Sequence, residues 1–133
     1  MKPYYTNIEE DTIENTDFRH VLYSGKLQLV LMSLEPKEDI GQEVHDHVDQ
    51  FFRFEAGEGK VVFEGGEVTV KDGDVVVIPA GTVHNIINTS ATERLSMYTI
   101  YSPANHPHGT IAHTKREAEE LEKNYPPEFQ HEH

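Results

Sequence analysis

The chain has 133 residues and no cysteine, so a single domain is expected and disulfides, zinc ribbons and thiol catalysis are excluded. It carries 11 Lys and Arg against 24 Asp and Glu, a net charge of −13, which opposes binding to nucleic acids and to anionic membranes. No stretch reaches the about 20 apolar residues of a membrane span, and the first residues lack the apolar region of a signal peptide, so the cytoplasm is the expected compartment.

The N-terminal part of the chain divides into a polar segment and a hairpin. Residues 1–17 are polar and acidic and predict an arm or an edge strand. Phe18 to Tyr23 and Lys26 to Leu34 are apolar runs on either side of Ser24-Gly25, a turn signal. Two apolar runs around a short turn predict a β-hairpin.

The middle of the chain predicts a series of short strands. Gly65-Gly66 lies between two such runs and is a two-residue hairpin signal. Val75 to Ile78 is continuously apolar, as is typical of a strand covered on both faces. Short strands with turn signals about every 8–12 residues predict an antiparallel sandwich or barrel rather than a parallel sheet.

One helix is predicted, near the end of the chain. Thr114 and Glu117 form a capping-box pattern, and the helix continues to Asn124, before Pro126-Pro127. Its apolar content is small, so we expect a surface helix lying across the barrel. The predicted organisation is an N-terminal arm (1–17), a β-barrel (18–113), and a helix with a flexible tail (114–133), the tail including the solvated His131 and His133.

The strongest chemical signal lies between Gly73 and Asn88. Five residues separate Gly73 from Pro79, one residue separates Pro79 from Gly81, and His84 follows after two more. These glycine and proline positions predict a turn into a buried strand and a bend at its end, so that His84 can point into a barrel. The spacing resembles the second sequence motif of the cupin superfamily.

This resemblance implies a fold for most of the chain, from about Phe18 to Tyr101. Cupins are all-β proteins, and we expect an antiparallel double-stranded β-helix, or jelly-roll barrel, followed by the short C-terminal helix. The resemblance also implies one divalent metal ion inside the barrel.

The segment from Lys37 to Gly57 resembles the first cupin motif, which runs Gly, five residues, His-x-His, three or four residues, Glu, six residues, Gly. Counting back from Gly57 places Gln50 at the position of the family's Glu, with His45 and Glu43 at the two His positions. The resemblance therefore implies the metal ligands Glu43, His45, Gln50 and His84. Two imidazoles, one carboxylate and one amide suit Mn²⁺, Fe²⁺, Ni²⁺ or Zn²⁺.

A competing frame uses His45-Asp46-His47 as the His-x-His pair and makes His47 a ligand instead of Glu43. Only two residues then separate His47 from Gln50, which is shorter than the family pattern. We favour the first frame and keep His47 as the alternative ligand.

Strand alternation predicts the walls of the pocket around this cluster. Phe52 and Phe54 share a face with Gln50, and Ile86 shares a face with His84. Phe51 and Arg53 fall on the opposite face, at a dimer contact, in a salt bridge or in solvent. A further wall has one of two registers: Met97, Thr99 and Tyr101, or else Ser96, Tyr98 and Ile100.

Three classes of function remain open. The first is a metal-dependent enzyme, isomerase-like or dioxygenase-like, acting on a sugar- or diketone-like molecule, with Glu43 as the residue that moves protons. Its ligand types resemble those of mannose-6-phosphate isomerase-like cupins, although no basic cluster for a phosphate is visible near the motifs. The second is a non-catalytic ligand-binding or sensor barrel, and the third is a metal-free structural barrel. A small-molecule ligand and a homodimer are the expected partners, and nucleic acid and membranes are not.

Overall fold

The computed structural model describes residues 2–129, which form antiparallel β-sheets with one helix before them and one after them. In chain order the elements are α1 (Ile8–Glu14), β1 (Arg19–Ser24), β2 (Gln28–Leu34), β3 (Asp49–Ala56), β4 (Glu58–Phe63), β5 (Gly66–Lys71), β6 (Val75–Ile78), β7 (His84–Asn88), β8 (Leu95–Ser102), β9 (Ile111–Ala112) and α2 (Lys115–Lys123), followed by a 3-10 turn at Pro127–Phe129. The all-β prediction with a short C-terminal helix is confirmed.

Two sheets form the barrel. The larger sheet has the strand order β6-β3-β8-β2-β1-β9 and the smaller one β5-β4-β7, and every pair of neighbouring strands is antiparallel. The predicted β4–β5 hairpin is present, with Phe63 paired to Gly66. The inward side chains of both sheets meet in a single core, in which each buried apolar side chain contributes about 1.5–3 kcal/mol. Its fully buried members include Val30, Met32, Leu34, Phe52, Phe54, Val61, Ile86, Leu95 and Met97.

The pairing of β3 with β8 selects one of the two registers left open by the sequence. Met97, Thr99 and Tyr101 face the barrel interior, opposite Phe54, Phe52 and Gln50 on β3. On the outer face Phe51 stacks on Tyr98 with 6.2 Å between ring centroids, and Arg53 Nε donates to Glu55 Oε1 at 3.2 Å. Of the alternatives for Arg53, the structure thus contains the salt bridge.

The segment before β1 differs from the prediction of an arm or an edge strand. It forms α1, which begins after Asn7, whose side-chain oxygen accepts the Glu10 N–H at 3.0 Å. A capped first turn with three acidic residues favours a helix here. The helix contacts β2, β3 and β8 and buries Thr12, so it covers the outer face of the larger sheet.

The apolar run Val75–Ile78 also differs from its prediction as a strand covered on both faces. It forms β6, which lies at the edge of the larger sheet, where Val75 is 46% and Val77 59% exposed. Ile78 is the one member of β6 that is buried, and α1 makes its main contacts with β2, β3 and β8. β5 and β6 border an apolar groove of about 560 Å³.

Helix α2 closes one end of the barrel. Thr114 Oγ1 accepts the Glu117 N–H at 3.1 Å, which forms the N-cap that the capping-box pattern predicts. Ala118 is buried under the helix, and Lys115 Nζ donates to Asp39 Oδ1 at 2.6 Å. None of the helices within residues 2–129 is long and apolar enough to cross a membrane. The predicted tail histidines, His131 and His133, lie outside the described residues.

Candidate metal centre

The centre is built by the pairing of the segment before β3 with strand β7. The Glu43 N–H donates to the His84 carbonyl at 2.8 Å, and the His84 N–H donates to the Glu43 carbonyl at 2.9 Å. The Ile40 N–H continues the pairing to Ile86 O at 3.0 Å. A directly opposed pair in an antiparallel ladder presents its two side chains on the same face, here the barrel interior.

The bend before β7 joins the same two segments from the other side. Gly81 has a φ of +84°, a conformation that glycine adopts at little cost, and its N–H donates to the His45 carbonyl at 2.8 Å. His45 and His84 are therefore both held by main-chain bonds close to where their side chains meet. Their rings are edge-to-face, with 5.6 Å between centroids.

Glu43, His45 and His84 converge in the interior. Each offers a ligand atom, and these atoms all lie within 4.8 Å of one another. All three residues are buried, with exposed fractions of 7%, 5% and 3%. Among the described residues this is the cluster of His, Asp and Glu side chains that could hold a metal ion.

One ring nitrogen of His84 is hydrogen-bonded and the other has no hydrogen-bond partner. His84 Nδ1 lies 2.9 Å from the carbonyl oxygen of Thr82, so Nδ1 carries the proton and donates it. His84 Nε2 is buried without a hydrogen-bond partner and keeps its lone pair. Burial lowers the pKa of His84, more than its bond to Thr82 raises it. A neutral imidazole with one nitrogen anchored to a carbonyl is the form that binds metals.

Glu43 places a carboxylate in a region from which water is largely excluded. Burial raises the pKa of Glu43 to about 7, against the opposing effect of the Arg19 guanidinium. His45 Nε2 lies 3.9 Å from Glu43 Oε2. A buried carboxylate is costly unless a cation compensates it, so a divalent ion fits this set of donors.

Gln50 lies on β3, and only the nitrogen of its side-chain amide has a hydrogen-bond partner. Its Nε2 donates to Thr99 Oγ1 at 3.0 Å, and its Oε1 is buried without a hydrogen-bond partner. Gln50 is paired in the sheet with Tyr101, whose ring lies 6.0 Å from the His45 ring. The unpaired amide oxygen of Gln50 has the chemistry of a fourth ligand.

The structure places the remaining predicted residues in two environments. Phe52, Phe54 and Ile86 are completely buried, and the Phe52 ring lies 6.3 Å from the His84 ring, edge-to-face. Phe52 thus borders the cluster, and Phe54 stacks on Phe52 with 6.3 Å between ring centroids. His47, the alternative ligand, is exposed in the turn before β3 and does not join the cluster.

A cavity of about 440 Å³ opens from Glu43 towards α2. Its volume falls in the range of about 300–1,000 Å³ that is usual for small-molecule sites. Arg19 and Glu43 line it from the barrel, and Lys115, Glu119 and Glu122 line it from α2. Of the three cluster residues, Glu43 is the one that lines this cavity, so a small ligand in it would meet the cluster through the Glu43 carboxyl group.

Sequence reasoning missed a buried polar network beside this cavity. Arg19 is 2% exposed, and its Nη1 donates to Glu122 Oε1 at 3.0 Å. His106 lies between two phenols, with Nε2 at 3.2 Å from Tyr101 Oη and Nδ1 at 2.9 Å from Tyr125 Oη. The one available signal was a charged residue, Arg19, at an inward position of an otherwise apolar strand.

The loop between β8 and β9 carries two further histidines, His106 and His108, in different environments. His106 is buried in the polar network, and its loop is held by Gln28, whose Oε1 accepts the His106 N–H at 3.0 Å. His108 is exposed. Neither joins a cluster of potential ligands within the described part of the chain.

Comparison with known proteins gives matches over most of the chain. The family described as "Cupin domain" matches residues 30–101. The uncharacterized protein YrkC of Bacillus subtilis (strain 168) is 46% identical over 124 residues, and the uncharacterized protein L612 of Acanthamoeba polyphaga mimivirus is 48% identical over 113 residues. The matches cover 88% and 81% of this chain but 66% and 70% of those proteins. The crystal structure of BH2720 from Bacillus halodurans superposes with a TM-score of 0.86 at 43% identity, covering 90% of this chain and 95% of that one.

Proposed function

Because the chain belongs to the cupin family, we propose that it is a metal-dependent enzyme that acts on a small organic molecule inside the barrel. The observation that carries the proposal is the buried cluster of Glu43, His45 and His84, whose member Glu43 also lines a ligand-sized cavity. The free Nε2 of His84 and the free Oε1 of Gln50 are donor atoms that a folded protein rarely leaves buried without a partner.

In this proposal, Glu43, His45, Gln50 and His84 hold one divalent ion. Their donor atoms are nitrogen and oxygen, which suit Mn²⁺, Fe²⁺, Ni²⁺ or Zn²⁺. When bound, such an ion supplies Lewis-acid chemistry, polarising an oxygen of the substrate and stabilising negative charge as it develops.

The protein's own residues provide the rest of the chemistry. Glu43 belongs both to the cluster and to the cavity wall, so its carboxyl group is the one placed to hold or move a proton of a bound molecule. Phe52, Phe54 and Ile86 exclude water on the barrel side of the cluster. In this low-dielectric surrounding the fixed dipoles and charges of the site act strongly.

Two reaction types suit a sugar- or diketone-like substrate: proton transfer next to a carbonyl, as in an isomerase, and reaction with dioxygen. In both, an ion held by Glu43, His45, Gln50 and His84 would supply Lewis-acid polarisation of a substrate oxygen. The resemblance to mannose-6-phosphate isomerase-like cupins stays a prediction.

The test is turnover by metal-free protein and by protein reconstituted with each of the four ions. A panel of aldoses, ketoses and 1,3-diketones would be followed by NMR and by oxygen consumption. We expect product with at least one ion, none without metal, and a loss of at least about 100-fold in Glu43→Gln when it is assayed at ion concentrations that keep it loaded. Full activity of Glu43→Gln would remove Glu43 from the mechanism.

The alternative function is a non-catalytic binding or sensor barrel, which the same cavity supports. It predicts saturable ligand binding and a raised melting temperature without any product. Metal-reconstituted protein that binds members of the panel and never turns them over would favour this alternative.

A further inference from the structure

The Arg19 side chain is a buried positive charge with unused hydrogen-bonding capacity at the wall of the cavity. One of its nitrogens, Nη1, bonds to Glu122. Another, Nε, is buried and has no hydrogen-bond partner. Leaving a donor of a charged group unpaired in the interior is costly, and proteins accept such costs mainly at sites of function.

The position of this charge relates it to the proposed metal centre. Arg19 projects inward from β1 and lines the same cavity as Glu43. A guanidinium is planar and presents its N–H groups in a fixed fork, which matches the two oxygens of a carboxylate. A carboxylate in this cavity can therefore be bound by Arg19 while a second oxygen of the same molecule lies towards Glu43.

We propose that Arg19 is a substrate-binding residue and that the substrate is a small carboxylic acid with a hydroxyl or keto oxygen beside its carboxylate. The proposal rests on the proposed function, because the second oxygen is the one directed to the metal centre. Arg19 determines specificity, since its guanidinium selects a ligand that carries a negative charge.

The charges around the cavity favour a carboxylate over a phosphate. Three acidic residues line it, Glu43, Glu119 and Glu122. The two lysines that also line it are engaged elsewhere, Lys115 with Asp39 and Lys123 with Glu120. One guanidinium among several carboxylates matches a ligand with a single negative charge better than a doubly charged phosphate.

A purely structural role for Arg19 is the main competing explanation. The Arg19–Glu122 pair joins β1 to α2, and Arg19 also bonds to Tyr125 and packs on the Phe18 ring, so in a structural role substitution of either residue would lower the melting temperature together with ligand binding. In the proposed role they differ, because Glu122 only holds the guanidinium and competes with the ligand for it. Glu122→Gln is thus the matched control for substitutions of Arg19.

The first experiment needs no variant. Calorimetry on metal-free and metal-reconstituted protein would compare glycolate and lactate with their neutral amides, glycolamide and lactamide, and with inorganic phosphate. We expect saturable binding of the acids and at least about 30-fold weaker binding of the amides and of phosphate. Equal binding of acid and amide, or binding of phosphate alone, would overturn the proposal.

The second experiment uses Arg19→Lys, Arg19→Gln and Glu122→Gln, with metal content and melting temperature measured on each sample. We expect both Arg19 variants to lose at least about 30-fold in affinity for lactate while the metal content is unchanged, and Glu122→Gln to bind lactate at least as tightly as the wild type, because a competitor for the guanidinium is removed. Loss of binding in Glu122→Gln to the same extent would show a structural role. Protein that holds metal but binds none of the acids would refute this inference and leave the proposed metal centre standing. Protein that binds the acids through Arg19 but holds no metal after reconstitution would refute the proposed metal centre and leave Arg19 as a ligand-binding residue.

Discussion

Glu43 and His84 exchange both of their backbone hydrogen bonds, at 2.8 and 2.9 Å, although four strands, β3 to β6, separate them in the sequence. Two of the proposed ligands are therefore positioned by main-chain atoms. A side-chain substitution at either residue removes a donor and leaves this pairing in place, so the centre can be dissected without dismantling it.

The first prediction concerns the metal content of His84→Ala. We expect about one Mn, Fe, Ni or Zn per chain in untagged wild-type protein. In the variant we expect metal affinity to fall by at least about 100-fold, because loss of a metal ligand costs more than loss of a residue that hydrogen-bonds to a ligand. Elemental analysis after gel filtration measures it. His108→Ala, at an exposed loop histidine, is the control. Equal loss in His47→Ala would support the alternative ligand frame.

The second prediction tests Gln50 as a ligand through its neighbour. Thr99 Oγ1 accepts a hydrogen bond from Gln50 Nε2 and so orients the free amide oxygen. In Thr99→Val, which has nearly the same shape, we expect metal affinity to fall about tenfold or more, measured by competition with a chelator. Unchanged affinity would indicate that Gln50 does not bind the metal.

The third prediction is structural and concerns Asn88, the last residue of the second motif. Its buried side-chain amide donates to the carbonyl oxygens of Leu34, Glu35 and Glu93 at 3.2, 3.0 and 2.9 Å. We expect Asn88→Ala to lower the free energy of unfolding by about 2–4 kcal/mol, because these acceptors lose their partner in the interior. Urea unfolding measures the change. Asn124→Ala, at an exposed helix end, should change it by less than about 0.5 kcal/mol.

The fourth prediction concerns pH and the contact between Asp39 and Lys115. Partial burial raises the pKa of Asp39, but hydrogen bonds from Lys115 and Asn85 lower it more, so the net shift is downward. A carboxyl whose pKa is lowered on folding stabilises the protein above its unfolded pKa of about 4, and this stabilisation is lost as the pH falls through the folded value.

Lys115→Met should therefore raise the pKa of Asp39 in an NMR titration and lower stability at pH 6 more than at pH 3. Lys123→Met, which removes a solvent-exposed pair with Glu120, is the control and should leave the pKa of Asp39 unchanged. A pKa of Asp39 that does not move in Lys115→Met would contradict the role given to this contact.

The homodimer expected from the sequence stays a prediction, and the exposed edge strand β6 is where we expect the second copy to pair. Val75 and Val77 are exposed there, and β6 has a neighbouring strand on one side only. Sedimentation at micromolar concentration should give a dimer for wild type and a smaller species for Val77→Lys. A wild-type mass of 15.2 kDa would refute the dimer.

The sequence motifs predict most of the cluster because their glycines have physical roles. Gly57, which anchors the count to Gln50, has a φ of +96°, and a Cβ there would clash with the Arg94 carbonyl. Gly81 has a positive φ as well and bonds to His45. Such positions accept little else, so their spacing fixes where Glu43, His45 and His84 fall.

The sequence did not predict the buried polar network, the edge position of β6 or helix α1. The first two depend on contacts between residues that are distant in the sequence. Arg19, Tyr101, His106 and Tyr125 meet only through the fold, so no local pattern could predict their network. The apolar run of β6 is the same whether a strand is covered or lies at an edge. Helix α1 did have a local signal, Asn7 followed by Glu10, but it is short and its apolar content is small.

The strand order also affects how fast the chain folds. In the larger sheet β3 pairs with β8 and β1 pairs with β9, and the members of each pair are far apart in the sequence. Each pairing must first overcome the entropy of closing a long loop, which places all-β topologies of this kind among slow folders, on scales of about milliseconds to seconds. Because Glu43 and His84 meet only when β7 has docked, a metal ion can recognise the chain only late in this process. It would then act mainly by slowing unfolding rather than by speeding folding.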